Sequence, residues 1–379
     1  MRRTHTAIIR GKPLWTYDNP VNIQFGSGAF AQVAKAINQR PYCLVTYGEA
    51  YFDQLSTLLS KSAGEPQCII NDIQPNPDFI PLRVSCRNFA DVARSDTVIV
   101  ALGGGSVIDT AKVLAASNGG FDNVQHFLET KSGEGKLSSH PIIAIPTTAG
   151  TGSEVTQWAT VWDVESQRKH SLSRHCHYPE VAIVDPDLTL GIPEALTVST
   201  ALDALSHSLE SIWNRNGNPV SANHAIFAAS EMIYALPLLL GDLGNLELRT
   251  RVSRASLFAG LAFSNTKTAL AHSVSYPITL KYNVVHGLAC SFSLPMIMAS
   301  VIGENAECDT NLSRIFGKDL NEGVKKLDRF LKDLGVSTSA VDYGVQKNEL
   351  QDLLTSALEG ERGLNFIGTQ ERVLESFTI

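Results

Sequence analysis

The apolar positions of this 379-residue chain change rhythm near its middle. In the first half they gather in short runs closed by turn signals: Cys43-Leu44-Val45-Thr46, Cys68-Ile69-Ile70, Thr97 through Leu102, Ile142-Ile143-Ala144-Ile145-Pro146 and Val181-Ala182-Ile183-Val184-Asp185. The run from Thr97 to Leu102 is unbroken and β-branched, the pattern of a strand buried on both faces. Helix-compatible stretches, such as Phe30 to Asn38 and Ile108 to Ala116, lie between the runs. Strands alternating with helices predict a parallel sheet covered by helices. From about Pro193 onward, long Ala-, Leu- and Ser-rich stretches take over, at Ala195 to Ile212, Ala222 to Leu240, Arg251 to Phe263 and Glu322 to Leu334. These predict helices, and convincing strands are scarce. The expected organisation is an α/β domain over residues 1–187 followed by an all-α domain over residues 188–379. No internal repeat or low-complexity tract is visible.

Composition narrows the function classes. The chain is 44% hydrophobic and 18% charged, ordinary for a globular protein with room for two cores. A net charge of −7 argues against nucleic-acid binding carried by global charge. No run approaches about eighteen consecutive apolar residues, so no membrane span is expected. The segment Met1-Arg2-Arg3-Thr4-His5 is basic, but no apolar signal core follows it. The six cysteines, Cys43, Cys68, Cys86, Cys176, Cys290 and Cys308, are scattered without a CxxC, as expected of reduced thiols in a cytoplasmic protein. Arg174-His175-Cys176-His177 reads as a strand or loop rather than a second metal site.

Two loops carry binding chemistry. The strand ending at Leu102 runs into Gly103-Gly104-Gly105-Ser106 and then a helix start, Val107-Ile108-Asp109-Thr110-Ala111-Lys112. Free backbone N–H groups and the helix dipole at such a junction favour an anion, and glycines let a pyrophosphate approach the main chain. The sequence is neither G-x-G-x-x-G nor a Walker motif, and a tight βα connection would look the same. After a second strand comes Pro146-Thr147-Thr148-Ala149-Gly150-Thr151-Gly152-Ser153-Glu154, whose hydroxyls and glycines suit a ribose, a phosphate or a nicotinamide, or else a polar surface turn. Together the two loops favour a dinucleotide site.

The helical half carries a different chemistry. Asp203 and His207 are four apart in the helix-compatible stretch Ala201 to Glu210, so both point from one face. His272 lies in Ala269 to Tyr276, also helix-compatible, and His286 is followed by Gly287, suited to a turn or a close backbone approach. Three imidazoles and one carboxylate suit a divalent transition metal rather than a thiolate-type structural zinc. The alternative is a helical Asp–His pair and two unrelated histidines.

In order and spacing, these pieces resemble the iron-containing, or group III, alcohol dehydrogenase family. The matching residues are Gly103-Gly104-Gly105-Ser106 with Asp109 and Lys112, the Pro146 to Glu154 loop, Val184-Asp185-Pro186, Asp203-Ala204-Leu205-Ser206-His207, Ala271-His272 and His286-Gly287. The resemblance implies a Rossmann-like N-terminal domain and an all-α C-terminal domain, the dehydroquinate synthase-like fold, with the active site in the cleft between them. It implies metal ligation by Asp203, His207, His272 and His286, with Fe(II) first and Zn(II) or Mn(II) behind it. It implies NAD(H) or NADP(H) contacts from Asn76, Gly104, Gly105, Ser106, Asp109, Thr147, Thr148, Ser153 and Lys169, with Val155 and Leu188 as looser matches. The activity implied is interconversion of a small aldehyde and its primary alcohol, by a homo-oligomer, dimer or larger. A lyase on the same fold and a non-catalytic relative are the competing readings.

Three departures from the family pattern matter. Tyr276 stands four residues after His272, where the family commonly has another histidine; it either relays a proton or fills the pocket. Val45-Thr46-Tyr47-Gly48-Glu49 lacks the Asp that many NAD-specific members place after this strand, which removes one barrier to NADP. Lys267, in Ser264-Asn265-Thr266-Lys267-Thr268, stands where small neutral residues are usual; it reads either as a solvated lysine or as a fixed cation for an anionic substrate. Arg215 and Arg174 are weaker candidates for that cation. Ser275-Tyr276-Pro277 and Trp213-Asn214-Arg215-Asn216 resemble the phosphonoacetaldehyde and sulfoacetaldehyde reductase branch, which points to a small anionic aldehyde, with a neutral short-chain aldehyde as the alternative.

Overall fold

The computed structural model describes residues 14–377 apart from Gln167; the basic segment at Met1 to His5 lies outside the described residues. The first half forms a six-stranded sheet from β1 (Asn22–Phe25), β2 (Tyr42–Val45), β3 (Cys68–Ile70), β4 (Val98–Gly103), β5 (Ile142–Pro146) and β8 (Val181–Val184), in the order β1-β8-β5-β4-β2-β3. Every pairing in it is parallel. The helices of this half are α1 (Val33–Ile37), α2 (Ala50–Ala63), α3 (Phe79–Ala90), α4 (Gly105–Ala116) and α5 (Asp122–Thr130). β4 and β5 are buried along their whole length, as continuous apolar runs require. Their register places Gly103 opposite Pro146, so both glycine-containing loops leave the same carboxyl edge side by side. Thr147 N donates to Gly103 O at 3.1 Å and joins the loops directly. Ligands of open α/β sheets bind at that edge.

Two elements have no apolar run to announce them. β1 is a half-buried edge strand pairing only with β8. β6 (Trp158–Asp163) and β7 (Arg168–Ser173) form an antiparallel hairpin between β5 and β8. Here the period is two. Ala159, Val161 and Leu172 enter the core beneath, while Trp158, Thr160, Trp162, Lys169, Ser171 and Ser173 face the main cavity. Arg174-His175-Cys176-His177 follows it, with a 3-10 turn at His175–His177.

The second half is helical: α6 (Glu194–Ile212), α7 (Pro219–Gly241), α8 (Leu246–Thr266), α9 (Leu270–Tyr282), α10 (His286–Ser291), α11 (Leu294–Val301), α12 (Ala306–Phe316), α13 (Leu320–Asp333), α14 (Lys347–Glu359) and α15 (Gln370–Ser376). The sequence placed the long ones to within a few residues. α6 is the central pillar, buried without a break from Ala201 through Ile212, and α7, α8 and α10 pack around it. α7 alone among the described residues is long and apolar enough to cross a membrane; it packs against α6 and α8, and Ala225, Ala229, Leu236 and Leu239 lie in the helical core.

Candidate metal and cofactor site

α6 presents Asp203, His207 and Glu210 from one side, at i, i+4 and i+7. His272 sits in the first turn of α9, and His286 opens α10. Gly287 explains how α10 comes so near: a Cβ there would lie 1.8 Å from Ser199 O on α6. The glycine after His286 thus serves a close backbone approach, not a turn.

Asp203 Oδ1 lies 3.7 Å from His207 Nε2, 3.3 Å from His272 Nε2 and 3.9 Å from His286 Nε2. Neighbouring ligands on a tetrahedral ion with bonds of about 2.0–2.1 Å sit about 3.4 Å apart; donor atoms of Asp203, His272, His286 and Cys290 lie within 4.8 Å of one another, and His207 stands just outside that group with Nε2 3.7 Å from Asp203 Oδ1. Asp203, His207, His272 and His286 all lie on a single cavity. Burial takes the His207 pKa down to about 4 and holds His286 well below its ordinary value, with the Lys169 charge adding to the latter. Both rings are therefore neutral and keep a lone pair for a metal. Burial opposes ionisation of Asp203, but its hydrogen bond to His272 and the charge of the surrounding imidazoles when protonated outweigh it and hold its carboxyl well below the usual range; His272 in turn, despite burial, is held well above the ordinary imidazole value by Cys290, Glu210 and Asp203.

Sequence reasoning missed two residues here. Glu210 is fully buried and accepts from Ala269 N at 3.0 Å, Ala271 N at 2.5 Å and His272 Nδ1 at 2.6 Å. One carboxylate thereby caps the start of α9 and fixes the His272 ring with Nε2 toward Asp203. Its signal was an acid seven residues after Asp203, on the same helix face as Asp203 and His207. The second is Cys290, one turn after His286, whose Sγ lies 3.6 Å from His286 Nε2 and within the same tight group of donor atoms as Asp203, His272 and His286.

The cavity encloses about 1170 Å³ and also receives Asn76, Gly104, Gly105, Ser106, Asp109, Thr147, Thr148, Ser153, Lys169 and Leu188. The loops around it are packed against each other: a Cβ on Gly105 would lie 2.6 Å from Thr151 Cγ2. Asn76 is held at φ +61° and its N–H donates to Ser106 Oγ at 3.2 Å. Beneath the loops lies a buried ionic network. Lys112, fully buried, donates from Nζ to Ser153 O at 2.7 Å, Ser153 Oγ at 2.8 Å and Trp158 O at 2.7 Å. Asp109 accepts from Ser153 Oγ at 2.6 Å and Thr160 N at 2.8 Å. Burial lowers Lys112 to about 8 and raises Glu154 to about 7. Val155 departs from expectation: it does not line the cavity but packs with Ala182, Val184 and Leu257 in the core.

Tyr276 lines the cavity, its ring stacked 6.2 Å from that of His286 and under Lys169 Nζ at 3.7 Å. Lys267 caps the end of α8 at φ +64°, ahead of α9 rather than within it. It reaches the cavity while staying 54% exposed, with Nζ 4.0 Å from Glu361 Oε1. Arg215 and Arg174 line no part of the cavity. Arg215 Nε donates to Phe366 O at 2.7 Å, and Arg174 is held by Ser138 O and Glu134.

Comparison with known proteins identifies the family. Residues 20–186 match the model of iron-containing alcohol dehydrogenases, and residues 197–375 match that of the C-terminal part of the same family. The NAD-dependent methanol dehydrogenase of Bacillus methanolicus is 30% identical over 353 residues, 88% of this chain and 91% of that protein. Lactaldehyde reductase of Escherichia coli is 29% identical over 79% of each chain. Among solved structures, sulfoacetaldehyde reductase from Bifidobacterium kashiwanohense, in complex with NAD+, superposes with a TM-score of 0.87 at 27% identity, covering 97% of this chain and 98% of that one. By family models that span both halves, this chain belongs to the iron-containing alcohol dehydrogenases.

Proposed function

We propose that the protein is a metal-dependent NAD(P)H oxidoreductase that interconverts a short anionic aldehyde, such as sulfoacetaldehyde or phosphonoacetaldehyde, and its primary alcohol. The observation that carries this is that one cavity is lined by the Asp203–His207–His272–His286 set and by both glycine-containing loops. When bound, a divalent ion supplies Lewis-acid polarisation of the carbonyl oxygen, and the nicotinamide supplies the hydride. Asp203, His207, His272 and His286 hold the ion, Fe(II) before Zn(II) or Mn(II). Asn76, Gly104, Gly105, Ser106, Asp109, Thr147, Thr148, Ser153, Lys169 and Leu188 hold the cofactor. Trp158, Trp162 and Phe263 keep water from the reacting end, and Lys267 adds positive charge at the rim. The proposal includes a domain boundary at residues 187/188, a cytoplasmic location and a homo-oligomer, dimer or larger.

The substrate class is supported by the cations on the cavity wall and by the likeness to a sulfoacetaldehyde reductase. The neutral segment Thr46-Tyr47-Gly48 leaves NADH and NADPH both open, although Glu49 also lines the cavity. The deciding experiment follows NADH and NADPH oxidation by the metal-loaded protein with propanal and with carboxylated, sulfonated and phosphonated short aldehydes. Turnover that prefers the anionic members supports the reading. Full activity in a preparation shown to be metal-free would sink it.

Tyr276 is assigned to packing. Its ring stacks on that of His286 and lies under Lys169, with which it also hydrogen-bonds, and among the described residues its hydroxyl makes no hydrogen bond to Asp203, His207, His272 or His286. Tyr276→Phe should keep the shape of the pH–rate profile. Tyr276→Ala should raise KM for the aldehyde by about ten-fold or more through lost wall contact. A profile that loses one limb in Tyr276→Phe would restore the proton-relay role.

A further inference from the structure

Arg362 was not singled out by any motif, yet it is the most unusual charge in the cavity. Its guanidinium carbon lies 5.1 Å from the centroid of the Tyr276 ring, and the residue lines the same cavity as the metal set. Nε is buried and has no hydrogen-bond partner, and no carboxylate pairs with the group among the described residues. Tyr276 thus sits among His286, Lys169 and Arg362. A half-buried guanidinium without an anion is costly, and contact with an aromatic ring offsets only part of that cost.

The backbone holds this arginine in place. At Gly363, the next residue, a Cβ would lie 2.1 Å from Ala357 O, so the turn after α14 is pressed onto the helix end. The segment that follows is clamped from the other side. Arg215 N donates to Asn365 O at 2.7 Å, Arg215 Nε to Phe366 O at 2.7 Å, and Asn365 Nδ2 to Thr268 O at 2.9 Å. An isolated bridge joins Asn214 to Phe366. The Trp213-Asn214-Arg215-Asn216 segment therefore acts as the buttress of the turn that carries Arg362, and Arg215 contributes by position rather than by touching a ligand.

We infer that Arg362 binds the anionic group of the substrate, a carboxylate, sulfonate or phosphonate, at the end of a short aldehyde opposite its carbonyl. The assignment rests on the reading of the cavity as an anionic-aldehyde site and names the side chain responsible. A guanidinium fork offers two parallel N–H donors to two oxygens of such a group. Lys267 is less suited, being half exposed and already facing Glu361, and Lys169 lies over the Trp162 and Tyr276 rings beside the cofactor loops.

The test compares the metal-loaded wild type with Arg362→Ala, Arg362→Lys and Lys267→Ala. For each, the kcat/KM for sulfoacetaldehyde, phosphonoacetaldehyde and succinic semialdehyde is divided by that for propanal, and the Ki of ethanesulfonate, an unreactive probe, is measured against propanal. Arg362→Ala should lower the ratio for the preferred anion by about 10- to 100-fold and raise the ethanesulfonate Ki by a similar factor. Arg362→Lys should recover part of both, which a folding defect would not produce. An unchanged ratio and Ki in Arg362→Ala overturns the inference, as does a larger drop in Lys267→Ala. If the wild type itself prefers propanal and ignores ethanesulfonate, the anionic-substrate reading fails first, and the three headgroups show which anion is taken when it stands.

Discussion

Replacing His272 with Ala is expected to strip the protein of divalent metal and to lower kcat by about a thousand-fold or more, since the ion's charge on the carbonyl oxygen is lost outright. His272 is the ligand with the most invested in its position. Its Nδ1 is tied to Glu210 at 2.6 Å, and its Nε2 is the imidazole nitrogen nearest Asp203 Oδ1. Glu210→Gln should reproduce the defect in weaker form. It keeps the shape of the side chain but offers one amide oxygen where two carboxylate oxygens now serve three backbone N–H groups and the ring. Metal affinity should fall about 10- to 100-fold, the usual cost of losing the partner that orients a ligating histidine. Elemental analysis after dialysis against a graded chelator measures both effects. A Glu210→Gln protein that holds metal like wild type would show that the ring needs no such orientation.

The distinction between His272 and Glu210 also marks what could be read from the chain. The long helices and the buried strands were legible because burial on all sides leaves an unbroken apolar record, as at β4 and α6. Asp203, His272 and His286, whose donor atoms the fold brings within 4.8 Å of one another, stood out in the sequence because metal chemistry restricts the residue types. Glu210 did not, since an acid inside an Ala- and Leu-rich helix looks like any surface position until the start of α9 is known to end on it. The β6–β7 hairpin was missed for a related reason. Its cavity-facing residues are polar or aromatic, so the alternation carries no clean apolar signal. Val155 was placed on the cavity by motif position, and packing against the sheet turned its side chain into the core instead. Lys267 was placed near the pocket by its five-residue distance from His272; it does line the cavity, from the end of α8 at φ +64° just ahead of α9, and it stays half exposed. Arg362 lies far along the chain in a turn, and only the fold brings it to Tyr276.

Lys112→Met should cost about 3–5 kcal/mol of stability, the usual result of removing one partner from a buried ionic network. The methionine fills the same space, so the loss is electrostatic rather than a cavity. Asp109 and Glu154 would keep their buried carboxyls without the cation that both now feel. The hydrogen bonds of the three Nζ donors, shared among Ser153 O, Ser153 Oγ, Thr156 Oγ1 and Trp158 O, would go with it, and they are what ties α4 to the Thr147–Ser153 loop and to β6. NADH affinity should therefore fall along with the denaturation midpoint, although Lys112 does not line the cavity. The pH dependence separates this account from simple loss of packing. Burial raises the Glu154 carboxyl to about 7 from an ordinary value of 4.5. Its contribution to stability is thus complete below pH 4.5 and is lost as pH rises through 7. At pH 6 the carboxyl is mostly neutral in the folded protein and loses little when Lys112 goes. At pH 7.5 it is mostly ionised, and Lys112, lowered only to about 8, is still largely charged, so the attraction between the two charges is present to be lost. Urea midpoints of wild type and Lys112→Met should accordingly diverge more at pH 7.5 than at pH 6. Equal gaps at the two pH values would mean that Lys112 holds the loop through its hydrogen bonds and Asp109, without help from the Glu154 charge.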